Sequence, residues 1–273
     1  MQSFIQTCFS EAYFAADTVS DRHQTYTYQI LGTDTDYKDH LQMNALFSML
    51  QEAASVNASD QGWGYEKLDG DDYCWILLRM SAYMEKLPAW RDQIVIETWS
   101  RGAEKLYFHR DFIIRNQNGE RLGAASSIWI LADRSSHRPV RPGQVFGEDK
   151  LRFHIESVLA KEPPKLKTVY QTDQMCSGEL LENSIVKYAD FSEIDRNLHV
   201  NNTRYVAWSV DAAHRISINQ GDIIGIDICY LSEIHFGEKV DLFSQDEGTF
   251  VRIDGFCEKS QKTAFSACLY RAQ

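Results

Sequence analysis

One order of elements runs twice along the chain: a short strand, a polar turn, one amphipathic helix, then a run of strands. Such a repeat constrains the fold more than any single motif does. Each copy must bury one helix face against a sheet of its own. The first copy opens with Tyr26-Thr27-Tyr28-Gln29-Ile30, which alternates as a strand. A polar turn follows from Asp34 to His40, and Asn44 reads as the cap of a helix carrying Leu46, Met49, Leu50, Ala53 and Ala54 on one stripe. That helix stops near Gly62-Trp63-Gly64, and strands are predicted over Cys74 to Tyr83, Gln93 to Ser100, Tyr107 to Arg115 and Ala124 to Leu131. Asn118-Gly119 is a hairpin turn between the last two.

The second copy starts with strand-like Ser184 to Tyr188 and continues through a polar stretch into a helix from Asn202. Strands follow at Ile223 to Ile234, Lys239 to Ser244, Phe250 to Glu258 and Thr263 to Arg271. Laying Asn44 on Asn202 and Tyr83 on Tyr230 aligns the copies, with an acidic insertion at Tyr65 to Tyr73 in the first. Between them, Pro139 to Lys167 holds four of the five prolines, as a domain boundary does. We therefore divide the chain into residues 1–164 and 165–273, with Phe153 to Ala160 as a short linker helix. The second helix carries apolar residues over much of its circumference (Tyr205, Val206, Trp208, Val210, Ala212, Ala213, Ile216), so the sheet is expected to wrap it.

Composition narrows the function classes. Hydrophobic residues make up 44%, too many for disorder, and the net charge of −11 argues against a general nucleic-acid binder. No apolar run is as long as a membrane span, and Met1 to Ser20 lacks the Lys or Arg that starts a signal peptide. The six cysteines (Cys8, Cys74, Cys176, Cys229, Cys257, Cys268) are scattered without a C-x-x-C pair, so they read as reduced core residues and no metal is expected. A cytoplasmic location is the resulting expectation.

The chemistry concentrates in Asp195-Arg196-Asn197-Leu198-His199-Val200-Asn201-Asn202. Period-two spacing puts the Asp195 carboxylate, the Asn197 amide and the His199 imidazole on one face of extended backbone. Asn201 and Asn202 then cap a helix whose unpaired N–H groups suit developing negative charge on oxygen. The plainer reading is a polar turn before a capped helix.

This run, with Tyr205 and Trp208 after it, resembles the signature of the acyl-ACP thioesterases, which release fatty acids from acyl carrier protein. Tyr230-Leu231-Ser232-Glu233-Ile234 is similar to the family's Tyr-Arg-Arg-Glu-Cys segment, and the resemblance extends from about Tyr26 to Tyr270. It implies an α+β double hotdog: two tandem units, each an antiparallel sheet wrapped around a long central helix. It implies hydrolysis of a fatty acyl-ACP thioester without a cofactor, by a catalytic C-terminal unit. Glu233 would be general base or nucleophile, its pKa raised by burial on an apolar strand. Asn197 would hold the carbonyl or the water, His199 would move a proton, and Asp195 would orient Asn197. Backbone N–H groups near Val200 to Asn202 would complete the oxyanion site, with Asn201 and Asn202 binding substrate. The N-terminal unit would supply the acyl-chain pocket, from the helix around Leu46 to Ala54, Leu50 included, and the strand around Trp75 to Met80, Leu77 included. Where many relatives have Cys this chain has Ile234, so that thiol is not required here.

On the overlay above, Tyr37, Asp39 and Leu41 stand opposite Asp195, Asn197 and His199, and Lys86 opposite Glu233. That asymmetry predicts a single active site. The resemblance implies acyl carrier protein, itself acidic, as the partner, so a basic stretch (Arg134, His137, Arg138, Arg141, then Lys161, Lys165, Lys167) is the candidate dock. A tandem chain would serve as monomer or homodimer. An acyl-CoA thioesterase, a hydratase and a non-catalytic acyl-binding module are the alternatives.

Overall fold

The computed structural model describes residues 23–147, 157–170, 172–175, 184–216 and 221–272. The chain forms two compact units, Met1–Pro163 and Pro164–Gln273. The expected linker helix falls partly outside the described residues; 157–160 are not helical.

In the N-terminal unit, β1 (Gln24–Gln29) leads to helix α1 (Met43–Asp60) and a short helix α2 (Tyr65–Gly70). Four strands follow: β2 (Tyr73–Met84), β3 (Gln93–Glu104), β4 (Tyr107–Asn116) and β5 (Arg121–Asp133). The sheet order is β1-β3-β4-β5-β2, antiparallel throughout, with the two-residue β6 (Pro139–Val140) beside β5. α1 turns Leu46, Phe47, Leu50 and Ala53 inward, all at most 2% exposed, and packs on β1 and β3. α2 fills what the sequence shows as the insertion. Gly64 precedes it because a Cβ there would lie 2.0 Å from Ser59 Oγ at the end of α1.

The C-terminal unit repeats the order with β7 (Ile185–Tyr188), helix α3 (Asn202–Ile216), β8 (Ile223–Tyr230), β9 (Lys239–Asp246), β10 (Phe250–Cys257) and β11 (Lys262–Arg271). Its antiparallel sheet runs β8-β11-β10-β9-β7. α3 buries Tyr205, Val206, Trp208, Ser209, Ala212 and Ala213 against β8 to β11. It is not wrapped all round: Arg204, Asp211, His214, Arg215 and Ile216 are exposed, and Asp211 bonds Lys187 Nζ on β7 at 2.8 Å. The four described cysteines form no disulfide, and Cys229 is buried, its thiol donating to the Pro164 carbonyl at 3.2 Å. Among the described residues no helix is long and apolar enough to cross a membrane.

Candidate active site in the C-terminal unit

A tight turn builds the site. The Asp195 N–H donates to the His199 carbonyl at 2.8 Å, and the Leu198 N–H to the Asp195 carbonyl at 3.0 Å. Asp195 Oδ1 accepts the Asn197 backbone N–H at 2.8 Å, an Asx turn that reverses the chain. Leu198 takes φ of 65° to complete it. Asp195 therefore holds the Asn197 backbone within the turn that carries His199. The Asn197 carboxamide is half-buried and has no hydrogen-bond partner among the described residues.

The second carboxylate arrives from the chain after β8. The strand ladder ends at Tyr230, because the Leu231 and Ser232 N–H groups both donate to the Ala264 carbonyl, at 2.8 and 3.0 Å. Glu233 thus lies on a loop, not on the expected strand. Its side chain is 38% exposed. Next to it Ile234 is fully buried, and its carbonyl accepts the Val200 N–H at 2.8 Å. This bond clamps the two segments together and brings Glu233 Oε2 to 3.2 Å from His199 Nε2. Tyr205 packs behind them, buried; burial raises its phenol pKa, with the Glu233 and Asp195 charges adding to the rise.

Two expectations about the helix start are corrected. Asn201 is the cap: its Oδ1 accepts the Thr203 N–H at 3.0 Å and the Thr203 hydroxyl at 2.9 Å. Its own N–H donates to the Glu193 carbonyl at 2.9 Å, and the Val200 N–H is held by Ile234. The Val200 and Asn201 amides are therefore already engaged within the fold. Asn202 is the first helical residue, and its carbonyl accepts the Tyr230 hydroxyl at 3.3 Å.

The internal overlay is also corrected, by one residue. In the N-terminal unit the Asp36 N–H donates to the His40 carbonyl at 2.8 Å, the Lys38 N–H to Asp36 Oδ1 at 2.8 Å, and Asp39 has φ of 62°. This is the turn of Asp195 to His199 again. The Leu41 N–H bonds the Pro88 carbonyl at 2.8 Å, as Val200 bonds Ile234. Asp36 and His40 thus stand opposite Asp195 and His199, while Lys38 replaces Asn197 and Leu87 replaces Glu233. Contrary to the sequence overlay, the first unit keeps an imidazole. The asymmetry rests on the amide and the second carboxylate. The slip arose at the helix start: α1 begins at Met43 after Gln42, which makes no side-chain cap, and Asn44 lies inside the helix.

One more side chain reaches the site and was missed. His235 meets the His199 ring edge-on, with centroids 4.8 Å apart. The signal was present: Glu233 and His235 repeat the period-two spacing of Asp195, Asn197 and His199.

The N-terminal unit holds a cleft lined by Ala54, Ala58, Trp63, Trp75, Phe108 and Trp129 among others. Of the segments expected to line the pocket, Ala54 and Trp75 do so. Leu46, Leu50 and Leu77 are 0%, 0% and 5% exposed and belong to the core. Trp75 is fixed by its indole N–H, which donates to the Trp63 carbonyl at 2.9 Å. Arg110 adds one polar spot; its Nη1 donates to Asn57 Oδ1 at 2.6 Å, and burial lowers its pKa to about 10.

Comparison with known proteins comes down on one family. The model of the acyl-ACP thioesterase N-terminal domain matches residues 21–144, and that of the C-terminal domain residues 179–267. Among relatives, a palmitoyl-acyl carrier protein thioesterase of Gossypium hirsutum is 26% identical over 70% of this chain and 47% of its own length. One of Arabidopsis thaliana is 30% identical over 51% of this chain and 33% of its own. This chain thus spans between a third and a half of those relatives. Among solved structures, an acyl-ACP thioesterase of Bacteroides thetaiotaomicron superposes with a TM-score of 0.78 at 21% identity, covering 92% of this chain and 98% of that one. The 12:0-ACP thioesterase of Umbellularia californica gives 0.75 at 19% identity, over 93% and 98%. These superpositions show the fold, a tandem pair of hotdog units.

Proposed function

Because the chain belongs to the acyl-ACP thioesterase family, we propose that it hydrolyses the thioester of a fatty acyl group on acyl carrier protein, releasing the free acid and the carrier thiol. The observation that carries this reading is the Glu233–His199 pair at 3.2 Å, next to the turn that carries Asn197. Glu233 takes a proton from a water, which attacks the thioester carbon. The Asn197 side-chain N–H donates to the carbonyl oxygen as charge develops there. When the C–S bond breaks, the proton passes through His199 to the leaving sulfur. Asp195 positions the turn and touches no reacting atom.

The test is hydrolysis of a panel of acyl-ACPs from short to long chains, with matching acyl-CoAs alongside. Free acid from the ACP substrates, with CoA esters much poorer, supports the reading. No release from either, by folded protein, rejects it.

The tryptophan-lined cleft is our acyl-chain pocket. Ala58 packs against the cluster of Trp63 and Phe108. Ala58→Leu should shift preference to shorter chains, by roughly tenfold or more in the kcat/KM ratio of long to short substrates, as added methylenes in an apolar pocket do. An unchanged chain-length profile would place the acyl tail elsewhere.

The carrier dock is reduced relative to the sequence reading. Arg134 Nη2 bonds Asp69 Oδ1 at 2.5 Å and the Tyr73 carbonyl at 3.2 Å, so it is engaged within its own unit. Arg138 and Arg141 are exposed. The double change Arg138→Glu, Arg141→Glu should raise KM for acyl-ACP at low salt and leave kcat alone, with the difference shrinking as salt rises. An unmoved KM would sink the patch.

A further inference from the structure

His235 takes no part in the hydrolytic steps above, yet it is held in place beside them. Its backbone N–H donates to Glu238 Oε2 at 3.0 Å, and its ring Nδ1 lies 3.4 Å from the Leu198 carbonyl oxygen. One ligand atom from each of His199, Glu233 and His235 falls within 4.8 Å of the other two. Zinc-type cations bind imidazole nitrogen and carboxylate oxygen at about 2.0–2.2 Å, which sets ligand atoms roughly 3–3.5 Å apart. The His199–Glu233 pair, at 3.2 Å, already has that separation. The third ligand atom, on the exposed His235, lies within 4.8 Å of both. The sequence expectation of no metal turned on cysteine spacing alone and did not test a His/Glu set.

We propose that His199, Glu233 and His235 bind one divalent transition cation of the zinc type, and that the bound cation switches the hydrolytic site off. Two imidazoles and one carboxylate suit zinc, cobalt or nickel and suit magnesium or calcium poorly. Occupancy takes the Glu233 oxygen and the His199 nitrogen that water activation needs. The N-terminal unit repeats the turn without the site, since Leu87 and Ala89 stand where Glu233 and His235 stand here. The binding claim needs no catalysis. The inhibition claim rests on the proposed hydrolysis.

The full chain is titrated with Zn²⁺ by calorimetry and with Co²⁺ by visible absorption, as wild type, His235→Asn and Glu233→Gln. Hydrolysis of acyl-ACP is followed with added Zn²⁺ and again after EDTA. One strong site per chain is expected in the wild type, weakened at least about tenfold in either variant, by analogy with perturbed metal sites. Zn²⁺ should suppress wild-type hydrolysis reversibly, while His235→Asn keeps its metal-free rate and resists the same concentration. Equal affinity in wild type and His235→Asn would overturn the site. Binding lost in His235→Asn with wild-type turnover unaffected or raised by Zn²⁺ would overturn the switch. A metal-free protein without activity leaves the calorimetric comparison to decide the site alone.

Discussion

Glu233→Gln should lower kcat for acyl-ACP hydrolysis by about 10²–10⁴-fold, the usual contribution of a positioned acid–base group. KM should change little, because the Glu233 carboxylate faces His199 Nε2 at 3.2 Å and is placed to act on the water rather than on the chain. The amide keeps the shape and a hydrogen bond but cannot take a proton. The side chain is 38% exposed, so the fold should tolerate the change, and an unaltered thermal transition checks that. The comparison with Asn197→Ala separates base from oxyanion donor. That change should lower kcat as well, by roughly 10²–10³-fold if this amide is the donor. Near-normal turnover in Glu233→Gln would remove the carboxylate mechanism, and Ile234 leaves no thiol at the neighbouring position to replace it.

Alternation and turn chemistry made the element order readable, because each strand and helix here buries one face. The extra helix α2 was visible only as an insertion, its six residues being too few to show a period. Segments carrying polar chemistry misled at their edges. The apolar run through Ile234 extends the strand pattern, yet the ladder stops at Tyr230 where two N–H groups share the Ala264 carbonyl. Such a bifurcated end leaves no trace in residue type. Asn44 reads as a cap because Asn favours caps, whereas the helix starts two residues earlier, at Met43 after Gln42, following the turn set by Asp36. That slip hid His40 and overstated the difference between the units. The pocket shows the same limit. Leu46, Leu50 and Leu77 are apolar residues expected to line it, but all three are buried in the core. The cleft is made by large rings that cannot pack flush, Trp75 and Phe108 lying with centroids 4.9 Å apart at 42°.

The largest stability effect is expected from an ion pair that sequence alone does not announce. In the strand Tyr107-Phe108-His109-Arg110-Asp111-Phe112, Asp111 has side-chain exposure of 0%. Burial pushes its carboxyl pKa up, and the Arg101 charge works against that rise. Arg101 Nε lies 3.0 Å from Asp111 Oδ2, its Nη2 lies 2.7 Å from Glu162 Oε1, and the Val158 N–H donates to Asp111 Oδ2 at 2.9 Å. Arg101→Met keeps most of the packing but leaves Asp111 buried without its cation. Removing one partner of such a pair costs about 3–5 kcal/mol. Urea unfolding followed by tryptophan fluorescence reads this unit, since Trp63, Trp75, Trp90, Trp99 and Trp129 lie in it and only Trp208 in the other. A loss under about 1 kcal/mol would mean the pair behaves like an exposed one. The double change Arg101→Met, Asp111→Leu then separates charge from packing. If the orphaned carboxylate is the cause, the double variant should be more stable than Arg101→Met alone, because the uncompensated charge is gone. If it is less stable, the Val158 N–H and the local packing carry the effect, and the ion pair is secondary.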